Sequence, residues 1–296
     1  MKTTAALIKR NTKLFFKDKG MFFTSLITPA ILLVLYAVFL GNIYRDNFTA
    51  SLQDFTVSGE VINGLAGAQL ISSILSVSCV TVAFCSNFLM VQDKAAGTIK
   101  DFRISPVKPW MLSLGYYIAA LISTLFICIA ATGICLMYVA FIGWYMSAAD
   151  VAFLFADVIL LALFGTALSS VIHFFLSTQG QISAVSTMIS AGYGFICGAY
   201  MPISFFGEGL QRVLSFLPGT YGTALIRNHS MNGVLGELRE QGLPGEIIEE
   251  LKDSLDCNLY FFHDRVGLPA MYEILGITIV VLLVVYVLLN VRKKEA

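Results

Sequence analysis

Long uncharged stretches alternate with short polar ones along this chain. Residues 21–40, 61–91 and 109–149 carry no Asp, Glu, Lys or Arg, nor does the interval between Asp157 and Glu208, and residues 269–289 carry only Glu273. About 20 apolar residues cross a bilayer as a helix. The interval after Asp157 holds two such lengths, broken at Ser177-Thr178-Gln179-Gly180-Gln181. The pattern therefore predicts six transmembrane helices, near 21–40, within 61–91, and near 109–141, 151–175, 182–201 and 269–289. Before the first span, Leu7, Ile8, Leu14 and Phe15 repeat at a spacing of seven, and Lys9, Lys13 and Lys17 line another face. This predicts an amphipathic helix over residues 1–20, lying in the interface.

Two polar intervals have an internal pattern. Gln92–Trp110 is a charged island with Lys94, Lys100, Arg103 and Lys108 against Asp93 and Asp101. Gly97-Thr98 opens a short helix-compatible run that stops at Ser105-Pro106. Between spans five and six, Pro202, Gly207, Gly209, Pro218 and Gly219 cut an apolar stretch into pieces, which predicts short re-entrant or interfacial helices. Residues 230–268 then form a small polar outer segment, with a short helix after Pro244 whose apolar face is Ile247, Ile248, Leu251 and Leu255. The expected fold is an all-α polytopic membrane protein: an N-terminal interfacial helix (1–20) and a six-span domain (21–292) with the loop 92–109 and the outer region 202–268.

Composition agrees. The 296 residues are 57% hydrophobic and 13% charged, against about 25% charged in soluble domains. Net charge is zero, which argues against nucleic acid as a partner. Most of the 19 Lys and Arg residues fall before the first span, in 92–109 and after the last span. By the positive-inside rule those segments, and so both termini, face the cytoplasm. Nothing resembles a cleavable signal peptide, and the chain reads as a bacterial plasma-membrane protein. Five of the six cysteines lie in apolar runs, where they read as small fillers.

Candidate chemistry is sparse. Ser72, Ser76, Ser86 and Asn87 share one face of the second span; span five carries Ser190, Gly194 and Gly198. These small polar positions read either as close helix packing or as the weakly polar wall of a translocation path, and the Gly194/Gly198 spacing invites a neighbouring helix. Asp157 and His173 are ionisable groups near span ends, where snorkelling or a local hydrogen bond accounts for them as well as a transport role does. No P-loop, no HExxH and no clustered Cys/His set is present, so no metal site, no catalytic residue and no nucleotide cofactor is expected on this chain.

The island Asp93, Gly97, Thr98, Phe102, Ser105, Pro106, Val107 resembles the loop after span two of ABC-2 type exporter permeases, with Asp93 where Glu is usual and Phe102 where Leu is usual. Gly198, Pro202, Leu210, Leu217, Pro218, Tyr221 and Arg227 are similar to the segment before that family's last span. The resemblance implies the membrane subunit of an exporter, with a second permease chain (homo- or heterodimer) and a separate ATP-binding subunit that binds ATP and Mg. It implies that Asp93, Gly97, Thr98, Ile99, Phe102, Arg103, Ser105 and Pro106 form the ATPase-coupling loop, that Ile99 and Phe102 share a face able to fill a groove on the ATPase, and that spans two and five line the path. The cargo would be a drug, peptide, lipid or glycan. An ion-coupled carrier or channel acting alone, and a non-transporting sensor or immunity subunit, are the competing readings.

Overall fold

The computed structural model describes residues 2–104, 107–262 and 264–295; Ser105 and Pro106 of the expected coupling loop, and the Arg103 side chain, lie outside the described residues. In chain order the helices are α1 (Lys2–Lys17), α2 (Lys19–Leu35), a π turn (Tyr36–Leu40), α3 (Gly41–Ser51), α4 (Gly59–Ser86), α5 (Phe88–Ala95) and α6 (Thr98–Ile104). They continue with α7 (Pro109–Ile142), α8 (Ala148–Phe175), α9 (Gln179–Ile196), a 3-10 turn (Ile203–Phe205), α10 (Glu208–Leu214), α11 (Pro218–Glu240), α12 (Gly245–Ser254) and α13 (Leu268–Glu295). A hairpin, β1 (Leu259–Phe261) with β2 (Asp264–Val266), pairs Leu259 with Val266 and Phe261 with Asp264.

Helix α4 is the centre. Every residue from Gly64 to Ser86 is buried, and α2, α3, α7, α8, α9 and α11 pack around it. Its many Ser, Ala, Gly and Cys positions make this possible, because small side chains let helix backbones approach. At Gly165 of α8 a Cβ would meet Cys79 O at 3.0 Å and Val80 Cα at 3.1 Å, so a larger residue there would push α8 off α4. The outer ring turns apolar side chains outward instead: Phe23, Ile27 and Ile31 of α2, Phe126 and Met137 of α7, and Ile277, Val280 and Val284 of α13 are exposed. That reversal, polar and small inside with large and apolar outside, suits a bundle whose solvent is lipid.

Among the described residues, five helical stretches are long and apolar enough to cross a membrane: Lys19–Ser51, Gly59–Ala95, Pro109–Ile142, Ala148–Phe175 and Leu268–Arg292. The expected fifth span, α9, is not among them. It has 18 residues, about 27 Å of helix, and its serines and glutamines dilute its apolar character. Two further boundaries differ from expectation. The first span does not stop at Leu40 but runs on as helix to Ser51, because Phe48 and Leu52 pack into a second core with Val61, Leu65, Met231, Val234 and Leu238. Pro218 does not divide the re-entrant stretch into a short piece; it sits in the first turn of the 23-residue α11, which is pre-organised by its fixed φ. Residues 230–240 of the supposed polar outer segment are therefore buried helix on one face, with Met231, Val234 and Leu238 inside.

Candidate functional site

The charged island folds as two short helices with a sharp bend. Helix α5 closes at Ala96, and Gly97 takes φ +80°, a left-handed conformation that costs glycine nothing. Its amide donates to Lys94 O at 3.1 Å, ending one helix while Thr98 starts the next.

Both charged residues before the bend are tied to the bundle. Asp93 is buried, and its carboxylate accepts two bonds from the Arg10 guanidinium of α1, at 2.8 and 3.2 Å, and one from Tyr116 Oη of α7 at 2.5 Å. The Asp93 hydrogen bond holds the Arg10 guanidinium above its usual range, against the opposing effect of burial. Arg10 also lies over the Phe102 ring, 5.3 Å from its centroid, a cation–π contact that draws α6 toward α1. Lys94 points the other way. Its ammonium donates to His173 O, Phe174 O and Leu176 O at 2.9, 2.6 and 3.0 Å, and so caps the C-terminal carbonyls of α8. One turn of α5 thus grips α1, α7 and α8 together.

Helix α6 turns Ile99 and Phe102 toward the chain itself. They line a cavity of about 70 Å³ with Met90, Leu112, Tyr116 and Phe174, and Ile99 packs on the cluster that holds Tyr286 of α13. The face expected to fill a partner's groove therefore packs largely against the chain's own helices. Ile104, 88% exposed, and the exposed Asp101 form the outward side of α6. Tyr286 Oη contacts Met90 Sδ at 3.1 Å, which places the C-terminal half of α13 at the same end of the bundle as α1 and α6.

The small polar face of α4 lies in the packed interior. Ser72 and Ser76 are fully buried, and their hydroxyls donate to Gln69 O and Ser72 O of their own helix. Asn87, at the break between α4 and α5, donates from Nδ2 to Thr166 O, Ser169 Oγ and Ser170 Oγ of α8. On α9, Ser190 is half-buried and Gly194 is covered by the Tyr200 ring of the same chain. Gly198 is not on the helix. With φ +74° it follows the last turn, Gly198 N bonds Phe195 O and Ala199 N bonds Gly194 O, a Schellman cap. The Gly194/Gly198 spacing is therefore a helix end and not a helix–helix contact.

The second motif converges at the opposite end of the bundle. Arg227 of α11 is fully buried and donates to Gly198 O at 2.8 Å and Leu255 O at 2.7 Å; its guanidinium lies 3.5 Å from the Asp256 carboxylate. Asp256 also accepts from the amides of Ile203, just after Pro202, at 2.6 Å, and Ser204 at 3.4 Å. Burial pushes the Asp256 carboxyl above its usual range, against the opposing pull of Arg227. Tyr221 Oη donates to Ser215 O at 2.5 Å and closes the turn between α10 and Pro218. Beside this knot a cavity of about 390 Å³ opens between α10, α12 and the hairpin, floored by Asp256 and Tyr221 and rimmed by Arg212, Tyr260 and Phe262.

Sequence reasoning missed Arg10, Tyr116, Asp256 and the Asp157 cluster. A buried arginine in an apolar stretch needs an anion, which was the available signal for Asp256, but the partner lies 29 residues away. Asp157, at the same end, is buried and accepts from Tyr272 Oη of α13, while His229 Nδ1 of α11 lies 2.6 Å from it. This joins α8, α11 and α13, a structural use of a carboxylate that the sequence placed near a span end. His173 is buried, its Nδ1 at 2.8 Å from Ser169 O, between Phe84 and Phe88.

No curated protein matches this chain. The model of the family described as ABC-2 type transporter matches residues 3–229, from α1 through the first half of α11, and takes in both the α5–α6 bend and the Arg227 knot. The chain therefore belongs to the ABC-2 type transporter family and is a multi-pass permease component of an ABC transporter, not its ATPase.

Proposed function

We propose that this chain is one membrane-spanning half of an ATP-driven exporter. It pairs with a second permease chain and is moved by a separate ATP-binding subunit that supplies ATP and Mg. The observation that carries the reading is the doubly anchored bend at Asp93–Gly97. A partner that displaces α6 displaces α5 with it, and Arg10, Tyr116 and Lys94 hand that movement to α1, α7 and α8. Rigid-body transfer of this kind is how nucleotide-driven movement reaches a site elsewhere in a protein. In this reading Asp93, Gly97, Thr98, Ile99, Phe102, Arg103, Ser105 and Pro106 form the coupling loop. Phe102 and Ile99 hold α6 to the permease, and Asp101 and Ile104 meet the ATPase.

Helix α9 is the sixth crossing in this proposal, and both termini are cytoplasmic. Support comes from Tyr286 and Met90, since an even number of crossings returns α13 to the end where α1 and α6 lie. With Ser72, Ser76, Ser86 and Asn87 inside the chain, the face left for a path or a second chain is that of α9, where Ser183, Thr187 and Ala191 are exposed beside Ser190. The cargo is amphiphilic or drug-like, a class consistent with a path that presents hydroxyls and no charge. The Pro202, Pro218, Tyr221 and Arg227 region closes the far side of the path. The test is gentle purification from the native membrane. A co-purifying P-loop ATPase whose hydrolysis is stimulated by cargo supports the proposal. Transport by this chain alone, without nucleotide, would instead identify a carrier or channel.

A further inference from the structure

Three buried polar atoms near the break between α4 and α5 have no partner among the described residues. Asn11 Nδ2, Ser86 Oγ and Asn87 Oδ1 are buried and make no hydrogen bond to any described residue. Their residues are 2%, 4% and 2% exposed. All three residues line one small cavity of about 10 Å³, together with Phe15, Met90 and Tyr116. A buried polar atom left without a partner is destabilising, so three around one void call for a shared partner. A water needs about 10–15 Å³ and two to four polar partners.

We propose that a single water molecule is bound here as part of the fold. The other ends of both amides are already fixed, and this determines the direction of the bond to each amide. Arg10 Nη1 donates to Asn11 Oδ1 at 2.8 Å, so the free end of Asn11 is its donor. Asn87 Nδ2 donates to Thr166 O, Ser169 Oγ and Ser170 Oγ, so its free end is its acceptor. The water accepts from Asn11, donates to Asn87 and takes the Ser86 hydroxyl as its third partner. The result is a one-way chain of donors, Arg10 to Asn11 to water to Asn87 to α8. Such chains polarise and strengthen each member. It starts on the guanidinium that holds Asp93 and ends on the α8 residues Ser169 and Ser170. The water therefore joins the α1–α5 ion pair to α8 through the one place where the central helix is interrupted. A mobile hydrogen-bond partner at a helix break lets α5 turn against α4 without stranding a polar group.

The test is a structure of the chain in lipid nanodiscs at a resolution that shows ordered water. One density peak within hydrogen-bond distance of Asn11, Ser86 and Asn87 is expected. A collapsed site with Asn11 bonded directly to Asn87, or an empty void, would overturn the proposal. Thermal unfolding of Asn11→Ala, Ser86→Ala and the double variant gives a second measurement. Because both residues hold the same water, the double variant should lower the melting temperature by clearly less than the two single shifts added. Simple additivity would show independent sites and overturn it too.

Discussion

The two ion pairs differ in what they leave behind when broken. Arg10 is one-third exposed at its side chain and Asp93 only 9%. Asp93→Ala frees a guanidinium that can rehydrate, whereas Arg10→Met strands a buried carboxylate on Tyr116 alone. We expect Arg10→Met to be the more destabilising of the two, by about 1–3 kcal/mol, as read by denaturation in detergent. At the other end the order reverses. Asp256→Ala strands the fully buried Arg227 and should cost about 3–5 kcal/mol. Arg227→Met is milder, because the Asp256 carboxyl, already raised by burial, can take up a proton. The sign follows from linkage. A carboxyl whose folded pKa lies above its unfolded one binds an extra proton in the native state, so its contribution is greatest at acid pH and is lost as pH rises through the folded value. Arg227→Met should therefore lose melting temperature from acid toward neutral pH more steeply than the wild-type chain. A flat profile would contradict the buried-carboxyl assignment.

At the scale of elements, what the sequence made legible was whatever obeyed a period or a breaker. The apolar runs marked the five membrane-length helical stretches among the described residues, Gly97-Thr98 marked the bend, and Pro244 stands at the cap of α12. What escaped depends on tertiary packing. Helix α3 outlasts its apolar run because Phe48 finds a second core, and α11 continues beyond Arg227 because one of its faces meets α4 and α8. The bend between α5 and α6 could be placed from sequence, but not which way its residues face. Ile99 and Phe102 look like a partner-binding pair until α1 places Arg10 over the ring. The bend carries its own prediction. At φ +80°, Gly97→Pro cannot be accommodated and should abolish cargo-stimulated ATP hydrolysis while the chain still inserts. Gly97→Asn, which tolerates that region, should retain most of it. Phe102→Ala should weaken coupling by releasing α6 from α1.

For the whole molecule, the proposed arrangement has six crossings with both ends on the cytoplasmic side. Single cysteines at Lys9 and at Tyr260, in a background where the buried native cysteines are replaced, test this with a membrane-impermeant thiol reagent. Tyr260 should label in intact cells and Lys9 only after the membrane is opened. Labelling of both from outside would remove α6 from the side where ATP is available. The central claim is that the outward face of α6 receives a separate ATP-binding subunit. A photo-crosslinking residue in place of Ile104, 88% exposed, reads that contact directly in native membranes. A crosslinked P-loop ATPase is expected from position 104 and none from position 260. Crosslinks to the ATPase from position 260 alone, or none from 104 in membranes that still transport, would contradict it.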